Sequence, residues 1–299
     1  PGASLMLIIG LSTEAVIFIM SVMEPVHLDA DWSRVFPELS NAEGEGVEEV
    51  EGVGLYDLIK SGSDEPGSQA DKLADKLGRF TGQPLESNSE LIITPGTQGA
   101  LFLALGSTVT AGTKVAVVEP DYFANRKLVK FFGGKIIPIS LNYKDSKSEN
   151  IPDLNQIENA FKNGAKVFVF STPNNPTGLV YSKNSINKIA SLAATHNVTL
   201  IVDQLYSRMV FSGEKYTHLC SCNVRPKNLI TIMGPSKTES LSGFRLGVAF
   251  GTSKLVERME SLQAIVSLRA AGYNQSVLSS WFDEPKGWME NRIKEHESI

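Results

Sequence analysis

The sequence predicts an α/β fold in three layers, with a mainly parallel, mixed sheet between two layers of helices. Short apolar segments alternate with segments of helical periodicity from residue 69 onward, and this alternation is typical of βαβ units. The apolar segments lack polar–apolar alternation, which indicates strands that helices cover on both faces. With 299 residues, 42% of them apolar, the chain is long enough for one large domain or two smaller ones.

Seven short apolar segments are predicted to form the strands of this sheet. They are residues 91–94, 114–118, 135–139, 167–170, 199–203, 229–233 and 246–250. Apolar residues recur at helical spacing elsewhere, and this periodicity predicts helices. The predicted helices are 69–80, 98–105, 123–132, 154–162, 185–195 and 287–299. Asp153 is expected to cap the helix that it precedes.

The composition argues against several classes of protein. The formal net charge is −5, so the chain has no basic footprint of the kind that binds nucleic acid. The two cysteines, Cys220 and Cys222, are too few for a disulfide framework, and no His/Cys pair has the spacing of a zinc finger. The sequence therefore favours a reduced, cytoplasmic chain, and we expect no metal site.

Two unusual segments lie in the first 54 residues. Residues Leu5–Met23 are very apolar, but Glu14 lies among them and the first basic residue is Arg34. A charge is costly in lipid and a secretory signal begins with positive charge, so we expect a core-facing helix or strand and no membrane contact. Residues Pro37–Gly54 are rich in Glu and Gly and are predicted to form a solvated loop.

Chemically distinctive residues follow the predicted strands. In sheets of this kind, ligands bind beyond the carboxyl ends of the strands. Asp203 closes an apolar strand, where an ionised carboxylate needs a cationic partner or strong donors. Lys237 follows another strand, and a lysine that is desolvated in a crevice becomes a nucleophile. Arg245 offers a fork of donors that suits phosphate, and the helix that opens at Gly96 offers free N–H groups to an anion.

The remaining strand ends carry a stacking ring and hydrogen-bond donors. Tyr122 follows Glu119-Pro-Asp and offers a flat face, and Tyr206 lies three residues beyond Asp203. The turn Asn174–Gly178 is rich in donors. A reactive amine, a carboxylate for a ring nitrogen, a stacking ring and a phosphate cradle are together what pyridoxal 5′-phosphate (PLP) requires.

Residues from about Leu91 to Gly251 resemble the large domain of the class I/II aminotransferases, which are fold-type I PLP enzymes. The resemblance rests on Thr172–Gly178 (TPNNPTG), on Asp203–Tyr206 (DQLY), and on Ser236-Lys237 followed by Ser242–Gly247 (SGFRLG). These three motifs stand in the order that the family has, each at a predicted strand end.

The resemblance implies roles for individual residues. Lys237 would form the Schiff base with the cofactor and later carry the proton between the substrate Cα and the cofactor. Asp203 would keep the ring nitrogen protonated, Tyr206 and Asn175 would bond the phenolic oxygen, and Tyr122 would stack on the ring. The phosphate would be held by Thr97, Gln98, Ser236 and Arg245. The Asn175–Pro176 peptide bond is expected to be cis, as it often is in the family.

The sequence also departs from the family pattern. Gly234 stands where family members often have Ser or Thr, three residues before the lysine. The small domain of the family supplies an arginine for the substrate carboxylate, and no residue here matches it by motif, although Arg269 and Arg292 are available. We therefore expect an N-terminal segment over 1–60 that is part of the small domain or dimer arm, a PLP-binding large domain over 61–258, and the start of a truncated small domain over 259–299.

The resemblance implies an aminotransferase (EC 2.6.1.-) that moves an amino group between an amino acid and a 2-oxo acid. It also implies a homodimer. Two alternatives stay open. One is a lyase or synthase of the same fold, such as a C–S β-lyase or a cyclopropane-forming (ACC synthase-like) enzyme, which shares every cofactor residue named above. The other is a catalytically incomplete chain that binds PLP.

Overall fold

The computed structural model describes residues 69–141, 143, 152–224 and 226–298, and all of them belong to one compact unit of the chain. The two N-terminal segments on which the sequence carries predictions, Leu5–Met23 and Pro37–Gly54, lie outside the described residues. Within the described part of the chain, no helix is both long enough and apolar enough to cross a membrane.

Seven strands form one sheet at the centre of the described residues. They are β1 Leu91–Pro95, β2 Lys114–Glu119, β3 Lys135–Ser140, β4 Val167–Ser171, β5 Thr199–Asp203, β6 Leu229–Met233 and β7 Leu246–Gly251. Their order in the sheet is β1-β7-β6-β5-β4-β2-β3. Only β7 runs against its neighbours, because β1 and β6 both pair with it antiparallel and the other pairs are parallel. The prediction of a mainly parallel, mixed sheet is confirmed.

Helices lie before, between and after these strands. They are α1 Gln69–Thr81, α2 Ser87–Glu90, α3 Gly96–Gly106, α4 Phe123–Phe131, α5 Leu154–Lys162, α6 Lys183–His196, α7 Ser253–Val266, α8 Gly272–Gln275 and α9 Trp288–Glu297. Short 3₁₀ turns cover Leu219–Ser221, Ser242–Phe244 and Ser276–Ser279. The Asp153 carboxylate accepts hydrogen bonds from Asn155 N (2.9 Å) and Gln156 N (3.1 Å), which confirms the predicted cap of α5.

The sheet separates two apolar clusters. Successive side chains of a strand point to opposite faces, so Phe168 and Phe170 of β4 lie in one cluster while Val167 and Val169 lie in the other. Helices α1, α5 and α6 contribute to the first cluster, and α3, α4 and α7 contribute to the second. All five residues of β4 are buried. The three-layer α/β/α prediction therefore holds for the described residues.

One strand does not have the two covered faces that the sequence predicts. In β3, Lys135, Pro138 and Ser140 are exposed, and Ile139 alone is buried. The reason is position, because β3 is the last strand of the sheet and pairs only with β2. An edge strand has one open side, so its apolar residues meet fewer neighbours than those of central strands.

The helix α7 crosses the boundary that the sequence analysis places between residues 258 and 259. Its Leu255, Val256 and Met259 are buried in the second cluster, and Gln263 Nε2 donates to Ile93 O of β1 (3.1 Å). Residues on both sides of the boundary therefore pack on the same sheet.

Candidate active site

The carboxyl ends of the parallel strands meet at one edge of the sheet and surround a cavity of about 200 Å³. Every site residue that the sequence predicts lines this cavity. They are Thr97, Gln98, Tyr122, Asn175, Asp203, Tyr206, Ser236, Lys237 and Arg245. The remaining lining residues are Leu101, Ser171, Leu205 and Ser242. The structure thus brings together residues from five separate loops, as expected when ligands bind beyond strand ends.

One wall of the cavity is the N-terminus of α3, which lies against β7 with almost no side chain between them. A β-carbon on Gly247 would lie 2.3 Å from Thr97 N and 2.5 Å from Gly96 C. Gly96 has φ +77°, and a β-carbon there would lie 2.6 Å from an Arg245 guanidinium nitrogen. These two glycines therefore allow the first N–H groups of a helix and a guanidinium to lie side by side, an arrangement that suits an anion.

The departure at Gly234 has a steric reason in this wall. A β-carbon on Gly234 would lie 2.7 Å from Thr97 Cγ2 and 3.2 Å from Gly247 Cα. A side chain at this position would therefore require the Thr97 side chain to move and the neighbouring backbone to shift slightly, so the hydroxyl side chain that family members often carry fits only with rearrangement of this wall.

Replacing Gly247 with alanine is expected to destabilise the chain and weaken anion binding. The new methyl group would meet backbone atoms of Gly96 and Thr97, which cannot rotate away. We expect a loss of about 3 kcal/mol, the upper end for overpacked sites. Thermal melting and the dissociation constant for inorganic phosphate measure the two effects. Gly243→Ala is the matched control, because a β-carbon there meets nothing within 4 Å. Equal melting temperatures for the two variants would contradict the close packing.

Asp203 stands at the end of β5 on the cavity wall. Its Oδ1 accepts a hydrogen bond from Leu205 N (3.0 Å). No ion pair joins Asp203 to a cation in the part of the chain that the structure describes. Burial raises the pKa of Asp203 to about 6, and the hydrogen bond from Leu205 opposes that rise. Of the cationic partner or strong donors that an ionised Asp203 is expected to need, the described residues supply the Leu205 N–H but no ion pair, and a cation within the cavity would fill the remaining role.

Two tyrosines flank the same space. Burial, together with the negative charge of Asp203, raises the pKa of both Tyr122 and Tyr206, so both hydroxyls are protonated donors near neutral pH. The Tyr122 hydroxyl donates to Gln98 Oε1 (3.1 Å), which links the predicted stacking ring to the start of α3.

Lys237 lines the cavity, but its side chain is exposed. The cavity is therefore open on the side of the lysine, and the described residues alone do not enclose its side chain. The loop that carries it is nevertheless well held. Arg292 of α9 donates to Ser240 Oγ (2.7 Å) and to the Lys237 carbonyl oxygen (3.4 Å). Arg292, which has no motif to support it, thus braces the lysine loop.

A buried ion-pair group, absent from the sequence analysis, ties two of the site loops together. Arg208, two residues beyond Tyr206, pairs with Glu239, two residues beyond Lys237. Arg208 also binds Glu284 through both terminal nitrogens (2.7 and 2.9 Å). Nothing in the local pattern around Arg208 distinguishes it from a surface arginine, because its partners are distant in sequence.

The predicted cis bond between Asn175 and Pro176 is confirmed. The structure also identifies a carboxylate to which the sequence analysis gave no role. Asp121, just beyond β2, accepts hydrogen bonds from both the backbone N–H (2.9 Å) and the hydroxyl of Ser171. Its place in a strand-end segment was the available signal. Its partner could not be read from the sequence, because it depends on β2 lying beside β4.

A second, larger cavity of about 910 Å³ adjoins the first. The two share Asn175, Tyr206 and Lys237 in their linings. The walls of the larger cavity are mainly apolar, with Pro176, Leu179, Val180, Met209, Val210 and Phe211 among them. No group of three or more His, Cys, Asp or Glu that could hold a metal ion occurs in the described ranges.

The cavity fits PLP in each of its parts. The cationic ring nitrogen suits the Asp203 carboxylate, which has no cation beside it among the described residues. The phosphate suits the glycine-lined start of α3 and the guanidinium of Arg245. The aldehyde suits the amine of Lys237.

Known proteins are similar to this chain in both sequence and architecture. The family described as aminotransferase class I and II matches residues 66–298. An aspartate aminotransferase from Sulfolobus acidocaldarius is 28% identical over 216 residues, which are 71% of this chain and 54% of that protein. The crystal structure of an aspartate aminotransferase from Rhodobacter sphaeroides 2.4.1 is 55% identical with a TM-score of 0.75, covering 81% of this chain and 65% of that one.

A further solved structure has the same fold at lower identity. It is a PLP-bound putative aminotransferase from Clostridium difficile 630, with 22% identity and a TM-score of 0.70, covering 89% of this chain and 72% of that one. A separate family, the GldL N-terminal domain, matches residues 1–42, which lie outside the described residues.

A mixed sheet covered on both faces, with a lysine, a carboxylate and an anion cradle at its strand ends, places the chain in the class of PLP-dependent transferase folds. The chain belongs to the aminotransferase class I and II family. PLP is the cofactor of this family, as the sequence resemblance implies. The chain spans about half the length of the curated relatives that it matches, 54% in the case of the Sulfolobus protein.

Proposed function

We propose that this chain acts as a PLP-dependent aminotransferase (EC 2.6.1.-), which moves an amino group between an amino acid and a 2-oxo acid. The observation that carries the proposal is the single cavity in which Lys237, Asp203 and Arg245 meet the start of α3. An amine, a carboxylate and an anion cradle are otherwise unrelated chemical groups, and PLP has one complementary part for each.

Lys237 would bind the cofactor covalently through Nζ and would carry the proton that leaves the substrate Cα. Its exposed side chain leaves Nζ accessible from the open side of the cavity. The bonds from Arg292 to the lysine loop hold the backbone while the side chain moves. When bound, PLP supplies an electron-accepting ring that stabilises negative charge at the substrate Cα.

Asp203 would hold a proton on the ring nitrogen by charge attraction. Because burial raises the pKa of Asp203 to about 6 in the chain alone, a neighbouring cation would lower it and keep the carboxylate ionised. Tyr206 and Asn175 would donate to the phenolic oxygen, and Tyr122 would stack on the ring. The phosphate would be bound by Thr97, Gln98, Ser236 and Arg245.

The domain assignment is part of the same proposal. Residues 61–258 would form the PLP-binding large domain, residues 1–60 an N-terminal segment that is part of the small domain or dimer arm, and residues 259–299 the start of a truncated small domain. Helix α7 runs across the second boundary, so its last two turns would pack on the sheet of the large domain and lead into the small one. We further propose a cytoplasmic homodimer without nucleic-acid or membrane partners. The net charge of −5 argues against a nucleic-acid partner, and the two buried cysteine thiols suit a reducing compartment. The dimer is what the family resemblance implies.

Aspartate is the amino donor that we propose to test first. Both the Sulfolobus relative and the Rhodobacter structure carry the name aspartate aminotransferase. The apolar cavity beside Lys237 makes donors with a large apolar side chain the matched comparison.

The deciding experiment is an amino-transfer assay on the chain loaded with PLP. We expect L-aspartate and a 2-oxo acid acceptor to give a new amino acid and a new 2-oxo acid in equal amounts. In a parallel assay with an S-alkyl-L-cysteine, which carries a sulfur leaving group at Cβ, a thiol, pyruvate and ammonia formed without any acceptor would indicate the lyase alternative and contradict transamination. A cofactor absorbance band that no amino acid changes would indicate a catalytically incomplete, PLP-binding chain.

A further inference from the structure

The starting observation is a carboxylate that joins the ends of two neighbouring strands. Asp121 follows β2, and its Oδ2 accepts a hydrogen bond from Ser171 N at the end of β4 (2.9 Å). Its Oδ1 accepts bonds from the Ser171 hydroxyl and from Tyr122 N (2.6 Å). The carboxylate thus receives donors from both strand ends at the rim of the cavity.

Ser171 connects Asp121 to Asn175, the asparagine that lines the cavity. Because its hydroxyl hydrogen points to Asp121, its lone pairs are free to accept, and Ser171 Oγ accepts from Asn175 N (3.1 Å). A second bond supports the same loop, since Asn174 Nδ2 donates to Pro120 O (3.2 Å). The loop that carries Asn175 is therefore attached twice to the segment that follows β2.

The contact is removed from water. Burial raises the pKa of Asp121 to about 7, while the three bonds from Ser171 and Tyr122 oppose the rise and the charge of Asp203 adds to it. Hydrogen bonds to a desolvated carboxylate are stronger than those in water. Asp121 itself is not among the residues that line the cavity, so it reaches the cavity only through its neighbours.

We propose that Asp121 is a positioning residue, which acts through the Ser171 hydroxyl to hold Asn175 at the wall of the cofactor cavity. The proposal rests on the proposed function in one respect, the contact between Asn175 and the cofactor. The hold on Asn175 belongs to the chain alone and can be measured without cofactor.

The first experiment measures amide hydrogen exchange of residues 172–178 in the full chain without PLP. Ser171→Ala removes the acceptor of Asn175 N, and Asp121→Ala removes the partner that orients it. A net hydrogen bond of about 0.5–1.5 kcal/mol corresponds to about 2- to 10-fold faster exchange at Asn175. Asp121→Asn is the conservative variant, because an amide oxygen in the Oδ1 position still accepts from the Ser171 hydroxyl and from Tyr122 N, and only the bond from Ser171 N is lost. Exchange at Asn175 is therefore expected to stay slow in this variant.

Ser107→Ala is the matched control. Ser107 is also buried, but its hydroxyl donates to the Ala104 carbonyl within α3, so exchange at 172–178 should not change. Unchanged exchange in both Ser171→Ala and Asp121→Ala would overturn the proposal. If Asp121→Ala does not fold, Ser171→Ala and Asp121→Asn still decide it, because the first should accelerate exchange and the second should not.

The second experiment titrates the absorbance of bound PLP with pH. A looser Asn175 would donate less well to the phenolic oxygen and would stabilise its negative charge less. The pH at the midpoint of the absorbance change should therefore rise in Ser171→Ala and Asp121→Ala by about 0.3–1 pH unit, which corresponds to the free energy of one hydrogen bond. Faster exchange with an unchanged midpoint would reduce Asp121 to a structural brace and overturn the positioning role. Failure of the wild-type chain to bind PLP would count against the proposed function, while the exchange data would still decide whether Asp121 holds Asn175.

Discussion

Lys237→Ala is expected to abolish amino transfer while the fold survives. The side chain of Lys237 is exposed, so its removal leaves no cavity in the core. The bonds that hold its loop involve the Lys237 carbonyl and Ser240, and both remain in the variant. The loss of a proton-carrying group alone is worth about 10²–10⁴-fold in rate, and loss of the covalent bond to the cofactor adds to it. Assays of kcat/KM measure the loss of amino transfer, and thermal melting measures whether the fold is retained.

Two further lysine variants make the result specific. Lys237→Arg keeps the positive charge but offers no nucleophilic amine, so it should be as inactive as the alanine variant. Lys254 is also exposed, but it lies beyond β7 at the opposite edge of the sheet, and Lys254→Ala should keep full activity. Substantial turnover by Lys237→Ala, with the cofactor still bound, would remove the central claim about this residue.

Asp203→Asn is expected to lower turnover much more than cofactor retention. Asparagine keeps the shape of the side chain but supplies no negative charge to the ring nitrogen. Removing one preorganised electrostatic group from an active site costs about 10²–10³-fold in kcat, and we expect a loss in this range. The phosphate cradle around Gly247 and Arg245 is unchanged, so the PLP dissociation constant should change far less. Unchanged turnover, or a loss of cofactor affinity as large as the loss of turnover, would contradict the assignment.

The same substitution has a pH-dependent effect on the stability of the cofactor-free chain. Burial raises the pKa of Asp203 from 3.8 to about 6, so its contribution to stability is complete below pH 3.8 and is lost as the pH rises through 6. Asparagine cannot ionise, so the variant should melt at a higher temperature than the wild type at pH 8 and at nearly the same temperature at pH 4. Asp75→Asn on the exposed face of α1 is the control. A difference that is equal at both pH values would contradict this account.

The sequence was sufficient to predict local features. Apolar runs located every strand of the described sheet, and the residues that follow them located the cavity, because strand ends and ligand sites coincide in this class of fold. The exposure of β3 was not predictable in the same way. It depends on the order of strands in the sheet. The sequence pattern of Lys135–Ser140 does not show whether the strand lies at the edge or at the centre.

Contacts between distant segments account for the other differences. The Asp121–Ser171 pair exists because β2 and β4 are neighbours, and the Arg208–Glu239 pair exists because two loops converge on one cavity. Neither pair leaves a periodic or spaced signal in the chain. The exposure of Lys237 likewise depends on what surrounds the cavity as a whole, which the residues next to the lysine do not determine.

The position of β7 has a consequence for the order in which the chain can fold. In the described sheet β1 pairs with β7 alone, and Leu91 faces Phe250, so β1 has no hydrogen-bonded neighbour until β7 has been synthesised. Pairing of segments so far apart is slow, and an unpaired apolar strand is prone to aggregation meanwhile. The anion cradle between Gly247 and α3 is thus completed only when an early strand and a late strand of this sheet meet. A phosphate group bound there would stabilise the packing of β7 against β1 and α3, which forms late.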